Sequence, residues 1–206
     1  LYKKFYMLTT FIKATDFTEC QRLFHGRGHA YPDLSHVNVD WFSPIILITL
    51  YQEVSPDWLM AQARDLITLT TQCSSVQVQY RCRKLAPTEV LMGENVLHTV
   101  VTELGQSYNI NFGKTQNSGL FLDMSNGRRW VMEHAKDKNI LNLFAYTCPF
   151  SLVGIAGGAK QVVNIDISRA SLAKGRDNHR LNKHPMDRVK FEGVDIFKSN
   201  SRIKKH

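Results

Sequence analysis

The chain has 206 residues, of which 43% are hydrophobic and 21% charged, and its formal charge is +8 at pH 7. The length allows one domain with a good core and a smaller companion. The composition is typical of a soluble globular protein, and no apolar run reaches the ~18 residues of a membrane-spanning helix. We therefore expect neither a disordered protein nor a membrane protein.

The cysteines and histidines give no metal-site pattern. Cys20, Cys73, Cys82 and Cys148 form no C-x-x-C pair, and no histidines stand at zinc-binding spacing beside them. His25 and His29 are four apart, but the glycines between them disfavour a helical metal site. Reduced thiols are typical of the cytosol, so we expect a cytoplasmic protein without a metal.

The positive charge lies in the second half of the chain. Residues 1–100 hold nine Lys/Arg and nine Asp/Glu, whereas residues 101–206 hold 17 and nine. A basic half suggests a polyanionic partner, most often a nucleic acid. A solvated basic surface without a partner is the alternative.

The first 89 residues are predicted to form a small α+β region. Residues 36–54 read as strand, turn and strand, with Pro44 at the break. Ser55 and Pro56 are typical of a helix N-cap and first helical position. Alternation from Val76 then predicts another strand.

Residues 90–206 are predicted to form a second domain with alternating strands and helices. "QSYNINFG" and "GLFLDM" read as two strands joined by the loop "KTQNS", and "SNGRRWVMEHAK" reads as a helix. The following elements are a strand at 140–144, a helix at about 150–157, a strand at 161–167, a helix at 168–182 and a strand at 189–195. This order predicts a parallel, Rossmann-like α/β sheet.

Acids follow two of these strands. Asp166 ends the second, about 20 residues past the loop "FAYTCPFS", where an acid accepts hydrogen bonds from a ribose diol. The loop lacks the G-x-G-x-x-G pattern that lets a pyrophosphate approach, which argues against NAD or FAD. S-adenosylmethionine is the leading candidate ligand. The alternative is that Asp166 only caps the next helix together with Ser168.

The third strand ends in "GVDIF". Asp195 could accept a hydrogen bond from the exocyclic amine of an adenine, with Ile196 and Phe197 packed on the ring. The alternative is an ordinary turn acid. Three consecutive strand ends carrying suitable groups make a ligand site the stronger interpretation.

The segments "GLFLDMSNGRRWV", "ILNLFAYTCPFS", "VVNIDISRASLAKGRDNHRLN" and "GVDIF" resemble the class I S-adenosylmethionine-dependent methyltransferases of the large-subunit ribosomal RNA branch. The resemblance covers about Tyr108 to Phe197. It implies the first half of that fold, preceded by an accessory region.

The resemblance also implies cofactor-binding roles for individual residues. The methionine moiety would lie on the loop, the ribose on Asp166 and the adenine on the groups after the second and third strands, while residues before the sheet close over the cofactor and Asn182 ends the second helix. The implied residues are Phe144, Ala145, Tyr146 and Thr147 (methionine); Asp166, Ile167 and Ser168; Asp195, Ile196 and Phe197; and Phe121, Asp123 and Arg128.

Three departures from the family pattern stand out. Family members usually carry a glycine at or next to Cys148-Pro149, and Pro149 has no N–H to donate. Asp123-Met124-Ser125 replaces an Asp-x-Arg sequence. None of the six prolines are adjacent, so the Pro-Pro motif that positions the target base in the family, and its fourth to seventh strands, do not occur in these 206 residues.

The resemblance implies methyl transfer to a base of ribosomal RNA, with this chain carrying the cofactor-binding part. We expect the chain alone to bind S-adenosylmethionine weakly and not to methylate RNA. The alternative is a catalytically inactive basic RNA-binding or assembly module. A sheet edge left open after the first three strands also suggests a homo-oligomer.

Overall fold

A mixed five-stranded sheet forms the first part of the computed structural model, which describes residues 6–14, 16–28, 30–112 and 116–198. The strands lie in chain order, and neighbours are antiparallel except for the parallel third and fourth strands. They are β1 (Gln21–His25), β2 (Val37–Phe42), β3 (Ile45–Leu50), β4 (Ser75–Tyr80) and β5 (Thr88–Gly93). The turn at Ser43 and Pro44 confirms the predicted break between β2 and β3.

Helix α1 (Pro56–Leu66) connects the parallel strands β3 and β4. It begins as predicted, because Ser55 accepts a hydrogen bond from the Trp58 N–H and Pro56 occupies the first turn. Its buried stripe of Leu59, Ala63 and Leu66 packs with the apolar side chains of β2, β3 and β4 into one core.

A two-stranded sheet follows and corrects one prediction. β6 (His98–Glu103) pairs with β7 (Gln106–Asn111), and Leu104 and Gly105 both have positive φ, as in a type I′ turn. The strand predicted at 119–124 is wrong, since Leu122–Met124 is a 3-10 turn. The turn at Leu104-Gly105 was not predicted. Residues 114 and 115 of the predicted loop "KTQNS" and Gly113 of the predicted strand before it lie outside the described residues.

The second sheet confirms the predicted parallel α/β arrangement. Its strand order is β10-β9-β8, and both neighbouring pairs are parallel. The elements lie within two residues of their predicted bounds: α2 (Ser125–His134), β8 (Asn139–Leu143), α3 (Pro149–Ala156), β9 (Gln161–Asp166), α4 (Arg169–Leu181) and β10 (Val189–Gly193). No helix in the described part of the chain is long and apolar enough to cross a bilayer.

One face of this sheet carries an apolar layer and, next to it, a polar one. Val162 and Val189 pack with Ile155 of α3 in a small core. Two residues after Val162, and so on the same face of β9, Asn164 donates a hydrogen bond to Ser151 of α3. The buried groups of this face are thus paired with the helices that cover it.

The described chain divides into two compact units. The first comprises residues 1–101 and 110–118, and the second residues 102–109 and 119–206. The division falls inside the β6–β7 hairpin, later than the boundary at residue 89 that the sequence predicts.

Candidate functional site

The loop between β8 and α3 has an unusual backbone. Phe144, Tyr146 and Cys148 have φ values of 55°, 51° and 62°, which L-residues rarely adopt. Each such conformation costs on the order of 1 kcal/mol and persists only where surrounding contacts impose it. The loop is therefore held in a defined, tightly wound shape at the carboxyl end of β8.

Hydrogen bonds on several sides hold this loop. The Ala145 N–H donates to the Ile165 carbonyl at 3.0 Å, and the Cys148 N–H donates to the Ala145 carbonyl at 2.8 Å. The Thr147 hydroxyl donates to the Gly119 carbonyl. Ala145 and Thr147 are buried, whereas Phe144 is exposed and Tyr146 half-buried, so the loop presents these two aromatic residues to its surroundings.

Asp166 joins the ends of β8 and β9. Its Oδ2 accepts from the Tyr146 N–H at 2.8 Å, and its Oδ1 accepts from the Ser168 N–H at 2.7 Å. Ser168 in turn caps α4 by accepting from the Ser171 N–H. A carboxylate offers about four acceptor positions, so one remains on each oxygen. Asp166 therefore supports the start of α4, which was the alternative role, and still has acceptor positions that the hydroxyls of a diol could use.

Exposed apolar side chains lie near the two acids at the strand ends, Asp166 and Asp195. Phe144, Ile167 and Phe197 are 68%, 73% and 82% exposed, and the ring centroids of Phe144 and Phe197 lie 6.3 Å apart. Asp195 accepts from the Phe197 N–H at 2.9 Å, and Ile196 is half-buried. Exposed apolar groups beside carboxylates suit a planar ring with polar edges, so the site fits a nucleoside such as that of S-adenosylmethionine.

The residues before the sheet contribute unequally. The Phe121 and Tyr146 ring centroids lie 5.3 Å apart, so Phe121 borders the loop. Asp123 is exposed. Arg128 is buried, and its Nη2 donates to Glu103 at 2.7 Å and to the Phe121 carbonyl at 2.9 Å. Arg128 is thus connected to the loop through Phe121, whose carbonyl it binds and whose ring lies beside Tyr146.

Asn182 is not brought to the site. It is the C-cap of α4, and its amide exchanges hydrogen bonds of 2.8 and 2.7 Å with the backbone of Ser107. A helix of 13 residues is roughly 20 Å long, so Asn182 lies about that far from Ser168. Its observed contacts anchor α4 to β7.

Cys148 and Pro149 begin α3. Pro149 is the first helical residue, where the missing N–H costs the helix nothing. Burial raises the pKa of the Cys148 thiol, and the Asp166 carboxylate raises it further. The thiol therefore stays protonated, which argues against a nucleophilic role for Cys148.

Asn178 and Gly175 of α4, which were not predicted as site residues, support the loop. Asn178 donates to the Thr147 carbonyl at 3.4 Å, and its Oδ1 accepts from the Asn109 N–H at 3.0 Å. Gly175 lies so close to the loop that an added Cβ would be 2.4 Å from the Cys148 sulfur. Asn178 and Asn182 are one helical turn apart and so lie on the same side of α4, and this spacing is the sequence pattern that could have identified Asn178.

The chain is similar to known methyltransferases. A family described as S-adenosylmethionine-dependent methyltransferase matches residues 21–206. Ribosomal RNA large subunit methyltransferase K/L of Pseudoalteromonas translucida is 33% identical over 172 residues, which are 79% of this chain and 24% of that protein. Ribosomal RNA large subunit methyltransferase I of Aliivibrio fischeri is 35% identical over 112 residues, which are 54% of this chain and 28% of that protein.

Solved structures share the fold. SMU.776, described as a methyltransferase complexed with SAH, has a TM-score of 0.80 and 22% identity, covering 93% of this chain and 50% of that one. A SAM-dependent methyltransferase from Streptococcus mutans has a TM-score of 0.81 and 22% identity, covering 98% and 56%.

These similarities agree with the geometry at the strand ends. The chain spans about a quarter of the length of the two curated relatives and about half of the two solved chains. The family match itself covers residues 21–206, which include the whole second unit from Thr102 onward. This chain belongs to the S-adenosylmethionine-dependent methyltransferase family.

Proposed function

We propose that the chain is the cofactor-binding part of an enzyme that methylates a base of ribosomal RNA. The observation that carries this proposal is the bridge that Asp166 makes between the strained loop after β8 and the start of α4. A carboxylate fixed at this strand end, with acceptor capacity left on both oxygens, is suited to a ribose diol.

The neighbouring groups would complete the cofactor site. The loop Phe144–Thr147 would face the methionine moiety, Asp195 would accept from the adenine amine, and Ile167 and Phe197 would cover the ring. When bound, the cofactor would supply a methyl group on a sulfonium; the acceptor atom would attack the methyl carbon in line, and the sulfur would leave as a neutral thioether. The contribution of these residues is then alignment, because an in-line displacement depends on holding both reactants in place.

The nature of the acceptor is supported by the relatives and by charge. The two curated relatives act, by their names, on the RNA of the large ribosomal subunit. The 17 Lys/Arg against nine Asp/Glu in residues 101–206 suit a phosphate backbone. A cytoplasmic location is part of this proposal, since it agrees with a ribosomal RNA substrate. A catalytically inactive RNA-binding module gains no support from relatives that are named as methyltransferases.

Calorimetric titration of the purified chain with S-adenosylmethionine tests the cofactor site. We expect binding, and a loss of at least tenfold in affinity for Asp166→Ala, because the variant removes the ribose acceptor and frees the loop. The matched control is Asp177→Ala, which removes an exposed acid of α4 that is paired with Arg180. Equal affinity of the Asp166 variant and the wild type would refute the assignment.

Transfer is tested separately with methyl-labelled S-adenosylmethionine and ribosomal RNA. We expect the 206-residue chain to bind the cofactor without labelling the RNA, because the sequence holds no Pro-Pro motif to position a base. Labelled RNA would show that the acceptor is positioned by groups within these residues.

We also propose that the chain associates with itself through β8. This strand lies at an edge of the described second sheet, and its Leu141 and Leu143 are 48% and 38% exposed. Sedimentation velocity should show concentration-dependent association that Leu141→Lys/Leu143→Lys abolishes. Leu85→Lys, at an 89% exposed leucine of the first unit, is the control. A monomer at all concentrations would contradict the proposal.

A further inference from the structure

A cavity of about 310 Å³ lies between α4 and the carboxyl half of β10. This volume is at the lower end of the range for ligand pockets. The side chains used in the following argument belong to Arg169, Arg176, Phe191 and Glu192, and Gly193 also lines the cavity.

The two arginines give the cavity its character. They are seven residues apart on α4, so both face the same side of the helix. The Arg176 guanidinium lies 4.8 Å from the centre of the Phe191 ring, which His179 contacts edge-on. A guanidinium is planar, and a flat group of a ligand can stack on it.

The described wall of the cavity carries more positive than negative charge. Within the described residues neither guanidinium forms an ion pair, in contrast to Arg180, which lies 3.3 Å from Asp177. Among the described residues that line the cavity, Glu192 is the one carboxylate, against two guanidinium groups. The wall therefore favours an anionic ligand.

The surroundings extend this preference beyond the cavity. Residues 168–190 contain seven Lys/Arg and two Asp. Gly193 on the cavity wall pairs in register with Asp166, and Val194 precedes Asp195. The cavity therefore adjoins the candidate cofactor site at the same end of the sheet.

We propose that this cavity binds one nucleotide of a single-stranded RNA segment, with a phosphodiester on Arg169 and a base stacked on the guanidinium of Arg176. The inference rests on the proposed function, since it supplies a contact for RNA beside the cofactor. Unpaired bases stack on arginine planes, whereas the faces of a base within a duplex are covered by its neighbours, so a single-stranded segment is the RNA form that suits this contact.

Fluorescence anisotropy with a labelled single-stranded RNA of about twelve nucleotides tests the site. We expect Arg169→Gln/Arg176→Gln to lower the affinity at least tenfold. The slope of log K against log salt should fall by about 0.7 for each phosphate that the variant no longer neutralises. Glutamine removes both the charge and the guanidinium plane but keeps a polar, flexible side chain at each position.

The matched control is Lys138→Gln/Lys160→Gln. It removes the same charge from two exposed lysines at the amino ends of β8 and β9, away from the cavity. We expect its affinity to change less than twofold. An equal fall in affinity for both double variants would overturn the proposal, because the effect would then be general electrostatics.

Arg176→Lys separates stacking from charge. It should leave the salt slope unchanged and lower the affinity several-fold, because lysine keeps the charge without the plane. An affinity equal to that of wild type would overturn the stacking assignment. Displacement of the RNA by adenosine monophosphate at comparable concentration would also overturn it, because the cavity would then serve a free nucleotide.

S-adenosylmethionine titration of the same samples keeps this inference separate from the proposed function. We expect cofactor binding to be retained in the arginine variants. Selective loss of RNA binding without any cofactor binding would support the cavity and contradict the proposed function. If the cofactor binds but the RNA affinity is unchanged in Arg169→Gln/Arg176→Gln, the result would support the proposed function and contradict the assignment of the cavity.

Discussion

Phe144, Tyr146 and Cys148 show how single residues shape the candidate site. Each has a backbone conformation that glycine adopts more readily, and Cys148 stands where the family resemblance implies a glycine at or beside the position. The neighbouring Gly175 leaves room for the cysteine side chain. Positions 148 and 175 lie so close together that a side chain at both would overlap, so the cysteine at 148 requires the glycine at 175.

Gly175→Ala should therefore destabilise the chain by about 1–3 kcal/mol, because the new Cβ would overlap the Cys148 sulfur. The cost should be smaller in a chain that carries Cys148→Gly, giving a coupling free energy of about 0.5 kcal/mol or more. Urea unfolding of the four chains measures this cycle.

Gly127→Ala in α2 is the control for helix propensity. The nearest atom to an added Cβ there, the Met124 Cε, lies 3.4 Å away, so this variant should be neutral or stabilising. Additive effects of Gly175→Ala and Cys148→Gly would show that the two positions do not compete for space.

At the element scale, a buried polar chain links β8 and β9 to α3 and α4. Asn142 donates to Asn164, which donates to Ser151. The Ser151 hydroxyl contacts His179 Nε2 at 2.9 Å, and His179 Nδ1 lies 2.9 Å from His184 Nδ1. Burial lowers the pKa of His179 to about 3, with a further contribution from His184, whose own pKa burial also lowers.

This chain predicts a loss of stability in mild acid. Unfolded imidazoles bind protons near pH 6.5, whereas the folded His179 stays neutral down to about pH 3. The stabilising contribution is thus fully present above about pH 6.5 and is lost progressively as the pH falls toward 3, by up to about 1.4 kcal/mol per pH unit for each imidazole.

Urea unfolding between pH 7.5 and 5.5, where few carboxylates titrate, measures the slope. His179→Gln should reduce it, although this variant will also be less stable at pH 7.5. His134→Gln, which changes an exposed imidazole, is the control. Identical slopes in wild type and His179→Gln would show that the buried imidazole does not couple to folding.

At the scale of the whole molecule, the second unit is built from two separate stretches of the sequence. The first stretch, residues 102–109, makes three polar contacts with the second. Glu103 forms an ion pair with Arg128, and the backbone N–H groups of Ser107 and Asn109 donate to Asn182 and Asn178. Glu103 and Arg128 are both buried, so removing one leaves the other as an uncompensated buried charge.

A fragment of residues 90–198 should therefore fold, whereas a fragment of residues 119–198 should be markedly less stable. Glu103→Gln in the longer fragment should account for about 3–5 kcal/mol of the difference. Circular dichroism and urea unfolding of the three samples measure this. Equal stability of the two fragments would show that the hairpin contributes nothing to the second unit.

The sequence by itself determined the order of strands and helices from Ser125 to Gly193, the parallel sheet, and the placement of Asp166 and Asp195 at its strand ends. These features follow from caps, breaks and apolar runs, which are local in sequence. The tertiary structure decided the pairing of β6 with β7, the burial of Arg128 against Glu103 and the anchoring role of Asn182. The last two of these join residues 25 and 75 positions apart. No local pattern specifies the partner of a buried polar group, because many distant groups could satisfy the same hydrogen bond and only packing selects one of them.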